Sequence, residues 1–172
     1  MNIKIVKLNS VDSTNNKAIR LIKSGKTKTT IIVSDKQTKG RGQYGKKWTS
    51  LKGNLFMSIF YQISVKKTTK NLINNNCKII KQTLSKFIKK KINIKFPNDL
   101  LIDNKKICGI LQETLFFNKK KYLIIGIGVN LIKSPKINNY PTSHLSDFMN
   151  KKVSKSNIYN AIKKSYEKIL TK

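Results

Sequence analysis

Lys106-Ile-Cys-Gly-Ile-Leu-Gln-Glu-Thr-Leu-Phe-Phe-Asn-Lys-Lys-Lys-Tyr-Leu-Ile-Ile-Gly-Ile-Gly-Val129 is the stretch whose reading decides the fold. Residues 106–117 and 121–129 are apolar runs of strand length, rich in Ile, Leu and Phe. Asn118-Lys-Lys120 between them suits a tight turn, so the pair predicts an antiparallel hairpin. Upstream, shorter strands are expected near 92–96 and 100–103, with Pro97 stopping the first and Asn98-Asp99 turning the chain. Apolar residues at 72, 73, 77, 79, 80, 84, 87 and 88 predict one helix over Asn71–Lys91. Residues 3–8, Thr29–Ser34 and Asn54–Ile63 read as strands. Asp12, Ser13 and Thr14 supply capping side chains ahead of a short helix at Lys17–Ile22, and a last helix covers Lys155–Leu170. Hairpins among strands, mixed with helices, argue an α+β fold with a mixed or antiparallel sheet.

The 172 residues fit one domain, 1–172. Lys and Arg outnumber Asp and Glu by 37 to 7, a net charge of +30. Such charge points first to a basic nucleic-acid-binding module. Only Arg20 and Arg41 are arginine, however, and the lysines are spread along the chain. A nucleic-acid reader draws on Arg for bidentate base and phosphate contacts. Abundant Lys, Asn and Ile together fit compositional drift better, and no specific nucleic-acid partner is expected. Cys77 and Cys108 lack metal or redox spacing and read as free thiols, and the single His144 argues against zinc, so no protein metal site is expected. The N-terminus lacks a signal-peptide pattern and no run has the length of a membrane span, which places the expectation in the cytoplasm, away from membranes.

Three segments carry chemistry. Gly40-Arg-Gly-Gln-Tyr-Gly-Lys-Lys-Trp48 combines three glycines that free the backbone with Arg41, Lys46 and Lys47, a loop suited to an anion. It is not a Walker loop, which needs Gly-Lys-Ser/Thr. Surface loops are often rich in Gly and Lys. Yet one of only two arginines stands between two of these glycines, where a planar guanidinium makes a bidentate contact that Lys cannot. Trp48 is placed to fold over a flat ring. In the second segment, Lys95-Phe-Pro-Asn-Asp-Leu100, the plain reading is a tight connection; Lys106 then opens an apolar strand and matters only if it points into a pocket. In the third, Gly126, Gly128 and Asn130 share one face of a strand and leave a flat floor, or a close strand–helix contact.

As an ordered set these segments resemble the biotin protein ligase family. The resemblance rests on Ser13-Thr14-Asn15, Gln37-Thr38 with Gly40-Arg41-Gly42 closing at Trp48, Lys95-Phe-Pro-Asn-Asp99, Lys106-Ile-Cys-Gly-Ile-Leu111 with Glu113, Gly126-Ile-Gly-Val-Asn130, and Thr142-Ser143 with Leu145. It implies the class II synthetase-like catalytic domain shared by biotin and lipoate ligases, and a reaction in two steps. Biotin and ATP form biotinyl-AMP with Mg²⁺ on the phosphates, and a lysine of a biotin carboxyl carrier protein, or of the carrier domain of a carboxylase, takes the biotin. Ser13, Thr14, Asn15 and Gln37 would hold the ureido head. Gly40, Arg41, Gly42, Gln43, Lys106, Gly126 and Gly128 would line the biotin site. Arg41, Gly42, Gln43, Trp48, Asn98, Lys106 and Asn130 would hold the nucleotide. Lys106 and Arg41 would stabilise charge, and Asp99 would help deprotonate the acceptor lysine. Gln43 stands where the family usually has Arg, which implies weaker retention of the adenylate. Against the family pattern, the chain is expected to lack both an N-terminal DNA-binding domain and a C-terminal β-barrel. Monomer and homodimer stay open. A lipoate or octanoate protein ligase is the neighbouring alternative; the Gly-Arg-Gly loop and Ser-Thr-Asn favour biotin. A decayed relative is opposed by the retained motif residues.

Overall fold

The computed structural model describes residues 2–66 and 69–171, with backbone alone at 69 and 70. Seven strands form one sheet: β1 (Lys4–Leu8), β2 (Thr30–Ser34), β3 (Leu55–Ile63), β4 (Asn93–Lys95), β5 (Asp99–Ile102), β6 (Lys105–Phe117) and β7 (Lys120–Val129). Their order is β1-β2-β3-β7-β6-β5-β4. β1 and β2 run parallel and every other neighbouring pair is antiparallel, so the sheet is mixed, as the hairpin pattern implied.

The decisive hairpin is present and tighter than expected. Phe117 pairs with Lys120, leaving Asn118 and Lys119 as a two-residue loop with φ of 47° and 60°. Asp103 and Asn104 repeat the device between β5 and β6, at 48° and 61°. Two successive left-handed residues make a turn whose twist matches the flanking strands, and Asn and Asp tolerate that region better than most residues.

Strict alternation then separates the two faces of the sheet. On one face, Leu55, Met57, Ile59, Leu123, Ile125, Ile127 and Val129 are buried under α2 (Thr69–Leu84) and α3 (Lys155–Leu170). On the other, Phe60, Tyr122 and Ile124 pack with Ile32 against Ala18 and Ile22 of α1 (Thr14–Lys23). α1 covers only one end of its face. The other end holds Gly109, Gly126 and Gly128 in register, with Gly109 opposite Gly128 and Gly126 opposite Ser58 and Leu111. With no side chains rising from them, these strands leave a shallow floor beside the helix.

Two helix boundaries depart from expectation. α1 starts at Thr14 instead of Lys17, because Ser13 is the N-cap and its hydroxyl accepts from the Asn16 amide. α2 ends at Leu84, not Lys91, followed by a 3-10 turn over Ser85–Phe87 and an extended Ile88. Phe87 and Ile88 still pack on the core from that turn, which is why the apolar spacing ran on past the helix. α3 matches its expected span and carries a capping box between Ser154 and Asn157. Cys77 and Cys108 are buried free thiols, and burial pushes the Cys77 thiol up to about 11. No helix among the described residues is long and apolar enough to cross a membrane.

Candidate active site

A cavity of about 680 Å³ opens over the glycine floor. Its two ends differ in chemistry because different elements supply them. At the α1 end the groups are neutral and polar. Gln37 Oε1 accepts from the Thr14 amide at 2.8 Å and from Thr14 Oγ1 at 3.2 Å, while its amide donates to Ser50 Oγ at 3.2 Å. Ser58, from the middle of β3, places its hydroxyl between Thr14 Oγ1 and Asn15 Oδ1. Asn15 Nδ2 donates to Glu113 Oε2 at 2.7 Å. Helix start, loop and two strands are thereby tied into one hydrogen-bonded chain of buried or half-buried groups. Gly126 is required beneath it, since a Cβ there would lie 2.4 Å from Asn15 Oδ1.

The loop from Gly40 to Trp48 closes over the floor. Trp48 N donates to Gly40 O at 3.0 Å and Gly42 N to Lys46 O at 2.7 Å. The Trp48 ring rests on the two paired glycines: a Cβ on Gly128 would stand 2.4 Å from the ring, and one on Gly109 2.5 Å from it. The segment is ordered with its indole already down. Gly40 lies behind the wall, where a Cβ would meet Trp48 O at 2.6 Å, so its bareness lets the loop close. Arg41 reaches Glu113 Oε2 at 2.7 Å, sharing that oxygen with Asn15, and its Nε is buried without a protein partner. The guanidinium therefore links the polar end to the centre of the cavity with a donor to spare. Gln43 lines the cavity, and Tyr44 beside it is left-handed (φ 54°) and 92% exposed.

The far end is charged. Lys106 points inward and is 18% exposed. Its ammonium stands 2.8 Å from Asp99 Oδ1, an ion-pair contact without hydrogen-bond alignment, and lies over the rings of Trp48 at 5.3 Å and Tyr140 at 5.4 Å. Tyr140 donates to Asp99 Oδ2 at 2.6 Å. The register shift between Leu100 and Leu101 brings this about: Cys108 pairs with Leu100 but Lys106 with Leu101, so Ile107 bulges and Lys106 turns to the cavity side. The segment after β7 returns alongside, with Lys106 N donating to Pro141 O at 2.9 Å and Ser143 N to Lys106 O at 3.0 Å. Asn130 is buried at the end of β7. Its amide donates to the carbonyls of Lys106 (3.3 Å) and Ser143 (3.2 Å), leaving Oδ1 buried and unpartnered. Asn98 lines the cavity, and its carbonyl accepts from the Ile110 amide at 2.8 Å.

A cavity with a neutral hydrogen-bonding end, a flat glycine floor under an indole and a cationic end suits a ligand with a polar head, an apolar middle and an anionic tail. The family model for the Biotin/lipoate A/B protein ligase family matches residues 8–130, which contain the whole floor, Arg41 and Lys106.

The chain belongs to that family.

Among curated relatives, the Bifunctional ligase/repressor BirA of Bacillus subtilis is 30% identical over 168 residues, covering 92% of this chain and 51% of its own. BirA of Escherichia coli is 32% identical over 127 residues, covering 70% and 38%. The chain thus spans about half the length of the first of these relatives. Among solved structures, biotin protein ligase from Aquifex aeolicus in complex with biotin and ATP superposes with a TM-score of 0.80 at 27% identity, over 98% of this chain and 70% of that one. The Leishmania major enzyme in complex with biotinyl-5-AMP gives 0.80 at 27%, over 94% and 72%.

Within this ligase-family site, nearly every residue singled out from sequence lines the cavity or is bonded to a residue that does. Gly40 is the exception in kind, acting behind the wall. Two participants, Ser58 and Tyr140, escaped the sequence reading. Ser58 is a polar residue within an apolar strand, and its place opposite Gly126 follows from the sheet register. Tyr140 sits in an irregular segment with no periodic cue. Glu113 was noted as part of a motif, but its joint hold on Arg41 and Asn15 needed the fold.

Proposed function

We propose that this protein joins biotin to a lysine of a carrier protein at the expense of ATP, through biotinyl-AMP. The observation that supports this most is the bipolar cavity: Thr14, Asn15, Gln37 and Ser58 at one end, Lys106 and Arg41 toward the other, on a glycine floor. The ureido head would exchange hydrogen bonds with the neutral end, and an acid lacking it would leave those groups unpaired. Gly126 and Gly128 let Asn15 and the Trp48 ring lie close against the sheet, and the bicyclic ring and the chain would lie in the cavity beside them. The carboxylate would then lie near Arg41 and Lys106. There a carboxylate oxygen attacks the α-phosphorus of ATP and pyrophosphate leaves, both cations stabilising the charge on the α-phosphoryl oxygens. Asn98 and the unpartnered Oδ1 of Asn130 would hold the adenine, with Trp48 as a ring surface. In the second step the neutral amine of the acceptor lysine attacks the acyl carbon and AMP leaves. Asp99 would take the proton from that amine. A carrier subunit or domain of a carboxylase is the proposed acceptor.

Asp99, which lines the cavity, is engaged by Lys106 and Tyr140, and Glu113, behind Arg41 and Asn15, is engaged by both. They do not form a metal site, and no cluster of three metal-binding side chains occurs among the described residues. Mg²⁺ is accordingly part of the nucleotide substrate, and no step is assigned to a protein-held metal.

The test is incubation with biotin, ATP, Mg²⁺ and a biotin carrier domain, with biotin on the acceptor read by mass spectrometry. Transfer should occur and should fall by about 10²–10³-fold in Lys106→Ala, as when an electrostatic donor is removed elsewhere. Lipoate in competition should not slow it; preferential transfer of lipoate would reassign the substrate. Asp99→Asn should abolish the rise of the transfer step with pH, and an unchanged pH profile would remove the base from this scheme.

A further inference from the structure

We propose that Tyr140 is a positioning residue of this site: its hydroxyl locks the Asp99 carboxylate so that the other carboxylate oxygen faces the Lys106 ammonium, and its ring gives that ammonium a second aromatic contact beside Trp48. This rests on the ligase reading only for what Lys106 then does. The geometry is independent of it. The Tyr140 hydroxyl donates to Asp99 Oδ2 at 2.6 Å, and Lys106 Nζ stands 2.8 Å from the remaining oxygen, Oδ1. The Lys106 ammonium lies over two rings, Trp48 at 5.3 Å and Tyr140 at 5.4 Å. A second cation, Lys95, lies over the same Tyr140 ring at 4.6 Å. One phenol therefore organises one carboxylate and two ammoniums at the anionic end of the cavity.

Lys needs this help because its flexible stem carries a point charge with no fixed orientation. Asp99 is the one anion in contact with it among the described residues, and a carboxylate free to rotate would present either oxygen. The hydroxyl removes that freedom. Burial and the adjacent carboxylate both push the Tyr140 hydroxyl above its ordinary 10.0, so it keeps its proton and acts as a permanent donor. The backbone places it there: Pro141 O and Ser143 N bracket Lys106 through hydrogen bonds of 2.9 and 3.0 Å, so the loop that carries Tyr140 is laced to the strand that carries Lys106.

Tyr140→Phe keeps the ring and deletes the donor. With a lost bond to a charged acceptor as the change, kcat of biotin-dependent pyrophosphate release should fall by about ten- to a hundredfold, and KM for biotin should stay within about twofold because its head binds at the other end. Tyr140→Leu, which also removes the ring, should lose more. A readout that needs no substrate accompanies this. In protein labelled with ¹³C-lysine, the Lys106 ε-methylene is identified by its absence in Lys106→Ala and is shifted by the two neighbouring rings; it should move in Tyr140→Phe while the melting temperature changes little. A fall in kcat with the moved resonance supports the assignment. Wild-type kcat and an unmoved resonance in Tyr140→Phe would overturn it. If the wild type released no pyrophosphate with biotin, the ligase reading would fail on its own, and the resonance alone would still decide for or against Tyr140.

Discussion

Gly128→Ala tests the architecture of the site most directly. A Cβ on Gly128 would lie 2.4 Å, 2.6 Å and 2.8 Å from three atoms of the Trp48 indole. Ordinary contact between such atoms needs about 3.5 Å, so the ring must rise by roughly 1 Å or the strand must yield. The strand is the stiffer partner, since Gly128 is paired on both sides, with Phe56 and Gly109. The indole should therefore leave the floor. Insertion of a methyl into a close contact of this kind costs about 1–3 kcal/mol, and on a chain of this length each kcal/mol lowers Tm by about 2–4 °C. The assay is built into the protein, because Trp48 is its single tryptophan. Its emission should shift to the red as the ring meets water, and the midpoint of a biotin-plus-ATP fluorescence titration should rise. Gly126→Ala is the control: its Cβ meets Asn15 at 2.4 Å and not Trp48. It should leave the emission maximum in place while weakening biotin. An unshifted emission maximum and an unchanged Tm in Gly128→Ala would refute the stacked arrangement.

Ser58→Ala should weaken biotin by about tenfold in a direct titration, since Thr14 Oγ1 and Asn15 Oδ1 both lose the hydroxyl between them; unaltered affinity would detach β3 from the head-group site. Cys77 and Cys108 should both resist a thiol reagent at pH 8 and both react after denaturation, because burial holds each thiol above its ordinary value of 9.0. Asp12 accepts hydrogen bonds from Arg20 and Asn16, and the Arg20 guanidinium above all holds its carboxyl well below the ordinary 3.8. A carboxyl depressed in the folded state stabilises it above the unfolded value and loses that effect as pH falls. Asp12→Asn should therefore lower stability at pH 7 by about 0.2–1 kcal/mol, the range for an exposed pair. The difference from wild type should shrink below the ordinary 3.8, and urea melts at pH 7 and pH 2.5 would show it.

Local chemistry made much of this protein legible before any coordinates. Apolar runs of strand length and the turn residues between them decided that 106–129 is a hairpin, because strand propensity and turn chemistry are set by neighbours in sequence. The glycines of the loop, the inward parity of Gly126 and Gly128, and the choice of Arg at 41 in a lysine-rich chain were readable for the same reason: each is a requirement of a single backbone position. Helix ends were less so, since Phe87 and Ile88 kept the apolar period after the hydrogen bonds of α2 had stopped. What only the tertiary structure decided is which groups meet. Glu113 joins Arg41 to Asn15 across 72 and 98 residues of chain, Ser58 reaches the start of α1, and Tyr140 closes on Asp99 and Lys106. Such contacts carry no local signature. They exist because strand order and register bring distant segments to one end of one sheet face, and the bulge at Ile107, invisible in the sequence, turns Lys106 toward the cavity.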